Sequence, residues 1–286
     1  MDLRPSSRYA SGPSPARTGT VLTADGERIS VAYDAAYDDV IAGSNPLTFV
    51  VSHGFTGGWR RPDNRAIAQA LRAHGAVVSY DSRGHGASSG VTTLGDDEVL
   101  DLDATIGWAR WLGARSVVAI GFSMGGSVVL RQAALARPSE AVDAVVSVSA
   151  AGFWFYKGTP PMRLLHRAVE TRGGRGVLRL GFQTRVTDRA WEEPYPLSPS
   201  ESAGLIAPLP LLVVHGDQDG YFPVEHARSI VGAAVAGAAR RGVPDRTDEW
   251  IERGVGHAES ARSPELLSRI GRWAGSVAVV STEEHS

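Results

Sequence analysis

The chain has 286 residues, of which 43% are apolar and 21% charged, and its 33 glycines and 16 prolines follow no period. This excludes a collagen-like or wholly disordered chain and leaves a single globular unit large enough for an α/β core. With 29 basic against 31 acidic residues the net charge is −2, no basic block could track a phosphate backbone, and nucleic acid is not an expected partner.

There is no cysteine, which rules out disulfides, thiolate nucleophiles and cysteine-bound metals, and Lys157 is the one lysine beside 28 arginines. Residues 1–19 are rich in Ser, Pro and Arg and lack the run of about 7–15 apolar residues of a secretory signal, so they read as a flexible leader. No stretch approaches the ~20 apolar residues of a membrane span. The expectation is a soluble, cytoplasmic protein.

In chain order, Arg28–Ala35 alternates like a half-buried edge strand, and Leu47–Ser52 is an apolar run suited to a buried one. Ile67, Ala68 and Leu71 recur at helical spacing in 62–73, with Pro62 in the first turn and Gly75 as a stop. Strand 76–80, helix 97–112 with an acidic first turn, strand 116–120 and helix 124–136 follow. Strands at 142–148 and 209–215, a helix near 224–239, a short strand near 249–252 and a helix near 264–274 complete the series. Strands alternating with helices predict a mostly parallel, doubly wound sheet, because parallel neighbours need crossovers that cover both faces.

The interval 151–208 breaks this rhythm with Phe153, Trp154, Phe155, Tyr156, Trp191 and Tyr195 among prolines and glycines. It reads as a small lid inserted into a core of residues 20–150 and 209–280, with 281–286 a tail. Phe153, Trp154, Phe155, Tyr156 and Trp191, together with Trp59, are candidate substrate contacts. The alternative is a helical excursion whose rings pack on the main domain.

Two G-x-S-x-G strings occur. Gly86-Ala87-Ser88-Ser89-Gly90 has no strand directly before it and no helix after it. Gly121-Phe122-Ser123-Met124-Gly125 lies directly between a predicted strand and a predicted helix, the setting of a nucleophile elbow, where small neighbours let strand and helix close in. A serine hydroxyl needs a base to take its proton, and the base needs a partner to fix its tautomer. His257, in a late Gly-rich loop after the last strand, suits the base. His53, His85 and His215 read as loop braces at strand ends, and His74, His166 and His226 as surface helix residues, with His285 in the tail. The acid is expected just past strand 209–215, where Asp217 and Asp219 both stand beyond the carboxyl end of a parallel strand. No H-E-x-x-H, clustered ligand set or strand-flanked G-x-G-x-x-G occurs, so no metal or cofactor is implied.

These motifs resemble the α/β-hydrolase family from about Val21 to Ala274. Besides the elbow, the match takes in His53-Gly54-Phe55 after a strand, Asp81-Ser82-Arg83-Gly84-His85-Gly86 with Ser88, Gly216-x-x-Asp219 and Gly256-His257. It looks most like the lipase, esterase and serine-aminopeptidase branch that includes monoacylglycerol lipases. The resemblance implies a Ser123, Asp219, His257 triad in the family's chain order, with the backbone N–H groups of Phe55 and Met124 as oxyanion donors. It makes the Asp81–Ser88 loop structural. Phe122 stands where the lipase-like branch often has His, and the His53–Trp59 loop lacks the extra glycines of HGGG-type esterases. Arg60 and Arg61 follow as a possible carboxylate site or a solvated surface. The implied activity is hydrolysis of a carboxylic ester of a small, apolar substrate, with thioester, lactone, amide or carbon–carbon cleavage open to the same triad. A ligand-binding homologue without turnover is the other class.

Overall fold

A computed structural model describes residues 17–37, 47–258 and 263–283. Eight strands form one sheet: β1 (Arg17–Leu22), β2 (Arg28–Asp34), β3 (Leu47–Ser52), β4 (Ala76–Tyr80), β5 (Ser116–Phe122), β6 (Ala144–Val148), β7 (Leu211–Gly216) and β8 (Thr247–Glu252). Their spatial order is β1-β2-β4-β3-β5-β6-β7-β8. β2 pairs antiparallel with both β1 and β4, and from β4 to β8 every pairing is parallel.

The central strands β3, β5, β6 and β7 are buried along their whole length. Continuous apolar runs tolerate this because helices cover both faces. Alternation along β5 divides the core: Val117 and Ala119 belong to one apolar cluster, and Val118 and Ile120 to the other. The crossovers are α1 (Pro62–Leu71), α2 (Glu98–Trp111), α3 (Met124–Leu135) and α7 (Glu225–Arg241), and α8 (Pro264–Glu283) follows the last strand. Between β6 and β7 lie α4 (Pro160–Glu170), α5 (Arg172–Phe182) and α6 (Pro199–Ala203).

The doubly wound architecture agrees with the expectation, and four details correct it. Residues 17–19 belong to β1 rather than to a leader, and the rest of that leader lies outside the described residues. β2 is interior, not an edge: β1 covers it, and β1 itself carries the exposed pattern. α8 continues to Glu283, so residues 281–283 of the expected tail are helical and 284–286 lie outside the described residues. The interval 151–208 also divides. α4 and α5 pack chiefly against each other, whereas α6 packs on α3 and α7 as part of the main body. Among the described residues no helix is long and apolar enough to cross a membrane.

Candidate active site

Ser123 sits at the junction of β5 and α3 with φ 53° and ψ −116°. This is a left-handed conformation that costs a non-glycine residue of order 1–3 kcal/mol and survives only where the surroundings enforce it. The surroundings are glycines. A Cβ on Gly121 would overlap the Gly125 carbonyl, one on Gly125 would overlap the Ser52 carbonyl, and one on Gly126 would lie 2.9 Å from the Ala150 Cβ. The elbow therefore packs backbone on backbone, and the Ser123 N–H donates to the Val148 carbonyl at 2.8 Å.

His257 lies in the loop between β8 and α8. Its Nδ1 is 2.8 Å from Asp219 Oδ2 and its Nε2 is 2.9 Å from Ser123 Oγ. A carboxylate accepts only, so the Nδ1 proton points to Asp219, and Nε2 is left to accept from the serine hydroxyl. The imidazole stacks on Tyr221 at 4.4 Å between centroids and meets Phe222 edge-on at 5.5 Å. Asp219, with its side chain 1% exposed, also accepts the N–H groups of Tyr221 and Phe222 at 2.8 and 3.0 Å on Oδ1. Burial pushes its carboxyl upward, but the bonds from His257 and from these two amides outweigh it and hold it below its ordinary value.

Asp217, the other carboxylate of the turn, does not reach the imidazole. It accepts the Gly254 N–H at 2.7 Å, while the Gln218 N–H donates to the Val255 carbonyl at 3.0 Å, so this stretch pins the histidine loop to the end of β7. Gly216 makes that approach possible, since a Cβ there would overlap the Val255 carbonyl.

Four further histidines, His53, His85, His215 and His226, brace the frame. His53 Nδ1–H donates to the Gly54 carbonyl at 2.7 Å, and its Nε2 accepts the Ser82 N–H at 3.0 Å. His85 accepts the Thr56 N–H at 3.3 Å and lies edge-on to Phe55 at 5.9 Å. Burial lowers both imidazoles, His85 to about 3, so both are neutral struts behind the Phe55 loop. His215 donates to the Phe222 carbonyl at 2.8 Å behind the acid turn. His226 corrects the surface assignment. It is 1% exposed, accepts the Gly152 N–H at 2.9 Å, and packs on Phe153 and Tyr156 at 4.3 and 4.4 Å. His74 follows α1 half-buried, and His285 lies outside the described residues. The second G-x-S-x-G string is structural: the buried Ser88 hydroxyl donates to the Asp81 carbonyl and accepts the Ser30 N–H.

Ser123, Met124 and Phe55 open onto a cavity of about 490 Å³. Phe153, Trp154, Phe155, Tyr156 and Trp191 all line it. The Trp154 and Trp191 rings meet at 5.1 Å, and their indole N–H groups donate to the carbonyls of Pro196 and Thr93. The rings thus pack on one another and still face the cavity, with Phe155 57% exposed. Thr93, Leu94, Met162, Val169 and Phe222 also line the wall without having been expected. Of these, Met162 and Val169 share a face of α4 seven residues apart, a spacing visible in the sequence.

Trp59 is the substrate candidate that the structure moves away. Its backbone N–H donates to Asp81 at 2.8 Å and its indole to Ser30 at 3.1 Å, and the ring, 7% exposed, is held apart from the cavity lining. Arg60 stacks over that ring at 3.9 Å, and Arg61 donates to the Phe182 carbonyl, so neither faces the cavity. Among the described residues no group of three or more His, Asp or Glu is arranged to hold a metal ion.

Fold and site together define a class: a doubly wound, mostly parallel α/β protein with a serine at a strand-to-helix elbow, in contact with an imidazole from a late loop. The chain belongs to the alpha/beta hydrolase family, whose model matches residues 49–270. Among solved structures it is similar to the esterase Pf2001 of Pyrococcus furiosus, with 21% identity, 91% of each chain covered and a TM-score of 0.67. It is also similar to XC6422 of Xanthomonas campestris, described as a serine hydrolase without a lid, with 20% identity, 92% and 94% covered and a TM-score of 0.57. Est1E of Butyrivibrio proteoclasticus, solved with ferulic acid, gives 20% identity, 90% and 97% covered and a TM-score of 0.57.

Proposed function

We propose that the chain is a serine hydrolase that cleaves carboxylic esters of small, largely apolar substrates through an acyl-enzyme. One observation carries this reading: the hydrogen-bonded path from Ser123 Oγ through His257 to Asp219 ends at a cavity walled mainly by apolar side chains. The description of Pf2001 as an esterase supports it.

Ser123 Oγ attacks the substrate carbonyl as its proton passes to His257 Nε2, and Asp219 stays ionised beside the imidazolium that forms. The oxyanion takes the N–H of Phe55 and that of Met124, the first residue of α3, whose N–H has no acceptor within its own helix. Collapse expels the alcohol, which takes the proton from Nε2. Water then gives a proton to Nε2 as it attacks the acyl carbonyl, and collapse releases the acid while Ser123 Oγ takes that proton back from Nε2. The α4–α5 hairpin serves as a lid, and its aromatic approach segment 153–156 contacts the acyl or alkyl group.

Hydrolysis of p-nitrophenyl esters of graded chain length, with fluorophosphonate labelling, tests this reading. Ser123→Ala is expected to lower kcat by about 10⁴-fold or more and to abolish labelling. Asp219→Asn is expected to lower kcat by about 10⁴-fold, and Asp217→Asn by under about tenfold. Full turnover by folded Ser123→Ala protein would refute the assignment.

A further inference from the structure

The outer surface of the α4–α5 hairpin is unlike the rest of the molecule. Leu164, Val177, Leu180 and Phe182 are 69%, 63%, 87% and 46% exposed, and Leu178 is the one residue of α5 that is fully buried. Such a group of large apolar side chains in solvent exceeds the isolated exposures of an ordinary surface. Beside them stand the exposed Arg163 and Arg167 of α4 and Arg172 and Arg179 of α5, while Arg175 and the one acid of the two helices, Glu170, line the cavity. That acid is already held by Lys157 at 2.7 Å and His166 at 3.0 Å. A strongly basic hairpin thus sits on a chain whose net charge is −2.

α5 also holds glycines that nothing among the described residues requires. A Cβ on Gly173, Gly176 or Gly181 would meet no atom within 4 Å, and none of the three has a positive φ. Each weakens an exposed helix relative to alanine. The outer face of α5 is thus left open by the described residues around these glycines.

We infer that the outer face of the α4–α5 hairpin docks the protein on an anionic lipid–water interface. The charge of the face selects this occupant. Two copies meeting through it would bring eight arginines together, whereas a layer of anionic headgroups over acyl chains complements both the guanidinium groups and the exposed leucines, valine and phenylalanine. The opposite face of the same hairpin supplies Met162, Leu165 and Val169 to the cavity wall, so docking places the cavity beside the interface.

Sedimentation of the full chain with phosphatidylglycerol vesicles, and in parallel with phosphatidylcholine vesicles, tests the inference. The phosphatidylglycerol partition coefficient should be at least tenfold the larger at 50 mM salt, as an order of magnitude, and fall steeply by about 0.5 M. The double variant Arg172→Glu/Arg179→Glu and the variant Leu180→Asp should each lower it at least tenfold, with unchanged circular dichroism. These positions are exposed and lie outside the cavity, so the variants are expected to fold. Ser123→Ala should bind like the parent, which separates this test from the esterase reading. Equal binding to both vesicles, no binding at low salt, binding insensitive to these variants, or loss of a dimer as their effect would each overturn it.

Discussion

His226 shows how much one side chain can link. It stands in the first turn of α7, yet its ring fills the space between Phe153, Tyr156 and Phe222, and Phe222 in turn touches the His257 ring. Burial, with a further contribution from His215, lowers its imidazole from 6.5 to about 4. The unfolded chain therefore binds this proton more readily than the folded one. The stabilisation is whole above about pH 6.5, declines between there and about 4, and is gone below, a loss of at most about 3 kcal/mol. The lowered His53 and His85 act in the same direction. Urea denaturation across pH 4–7 should show stability rising with pH. The variant His226→Gln, whose amide oxygen can still accept the Gly152 N–H, should flatten that slope. An unchanged slope would show that His226 does not contribute.

Elements meet at this site through glycines whose costs differ by position. The elbow requires Gly121 and Gly125 because β5, α3 and the end of β3 touch there through backbone atoms. Gly121→Ala or Gly125→Ala should therefore lower stability by more than about 3 kcal/mol or prevent soluble expression. Gly232 is the contrasting case: it is exposed within α7, has a negative φ, and offers open space to a Cβ. Gly232→Ala should raise stability by about 0.5–1 kcal/mol. Thermal melts of the variants check both signs, and an elbow variant that melts with the parent would refute the packing argument. The strand, helix and elbow pattern was legible because these elements satisfy local rules: continuous apolar runs, 3.6-residue spacing, and a Pro or Gly at their ends. β1 was not legible. RTGTVL is exposed apart from the half-buried Val21, so no apolar period marks it, and its pairing with β2 is what makes it a strand.

Across the whole molecule, Arg131 of α3 joins the helix that follows Ser123 to the cavity wall. Its guanidinium, 4% exposed, donates to the Gly95 carbonyl, to the Asp96 carbonyl and carboxylate at 2.8 and 2.9 Å, and to the Leu197 carbonyl at 3.0 Å. Thr93 and Leu94, just before Gly95, line the cavity. Arg131→Met preserves the bulk of the stem but leaves those acceptors unpaired. It should cost about 2–4 kcal/mol in urea denaturation and raise KM for long-chain esters more than for acetate. An equal change in KM for both chain lengths would place its role in stability alone.

Local pattern sufficed for the class of fold, for the elbow serine between β5 and α3, and for the late histidine, because each depends on residues close in the chain. The competition between Asp217 and Asp219 turned on which of two neighbouring carboxylates faces a ring 38 residues away, and the turn after β7 directs one to His257 and the other to Gly254. Trp59 and His226 were misread for the same reason. An aromatic or imidazole ring goes where distant hydrogen-bond partners and packing draw it, Asp81 and Ser30 for the one and Gly152 and Phe153 for the other, and those partners become neighbours only when the sheet is assembled.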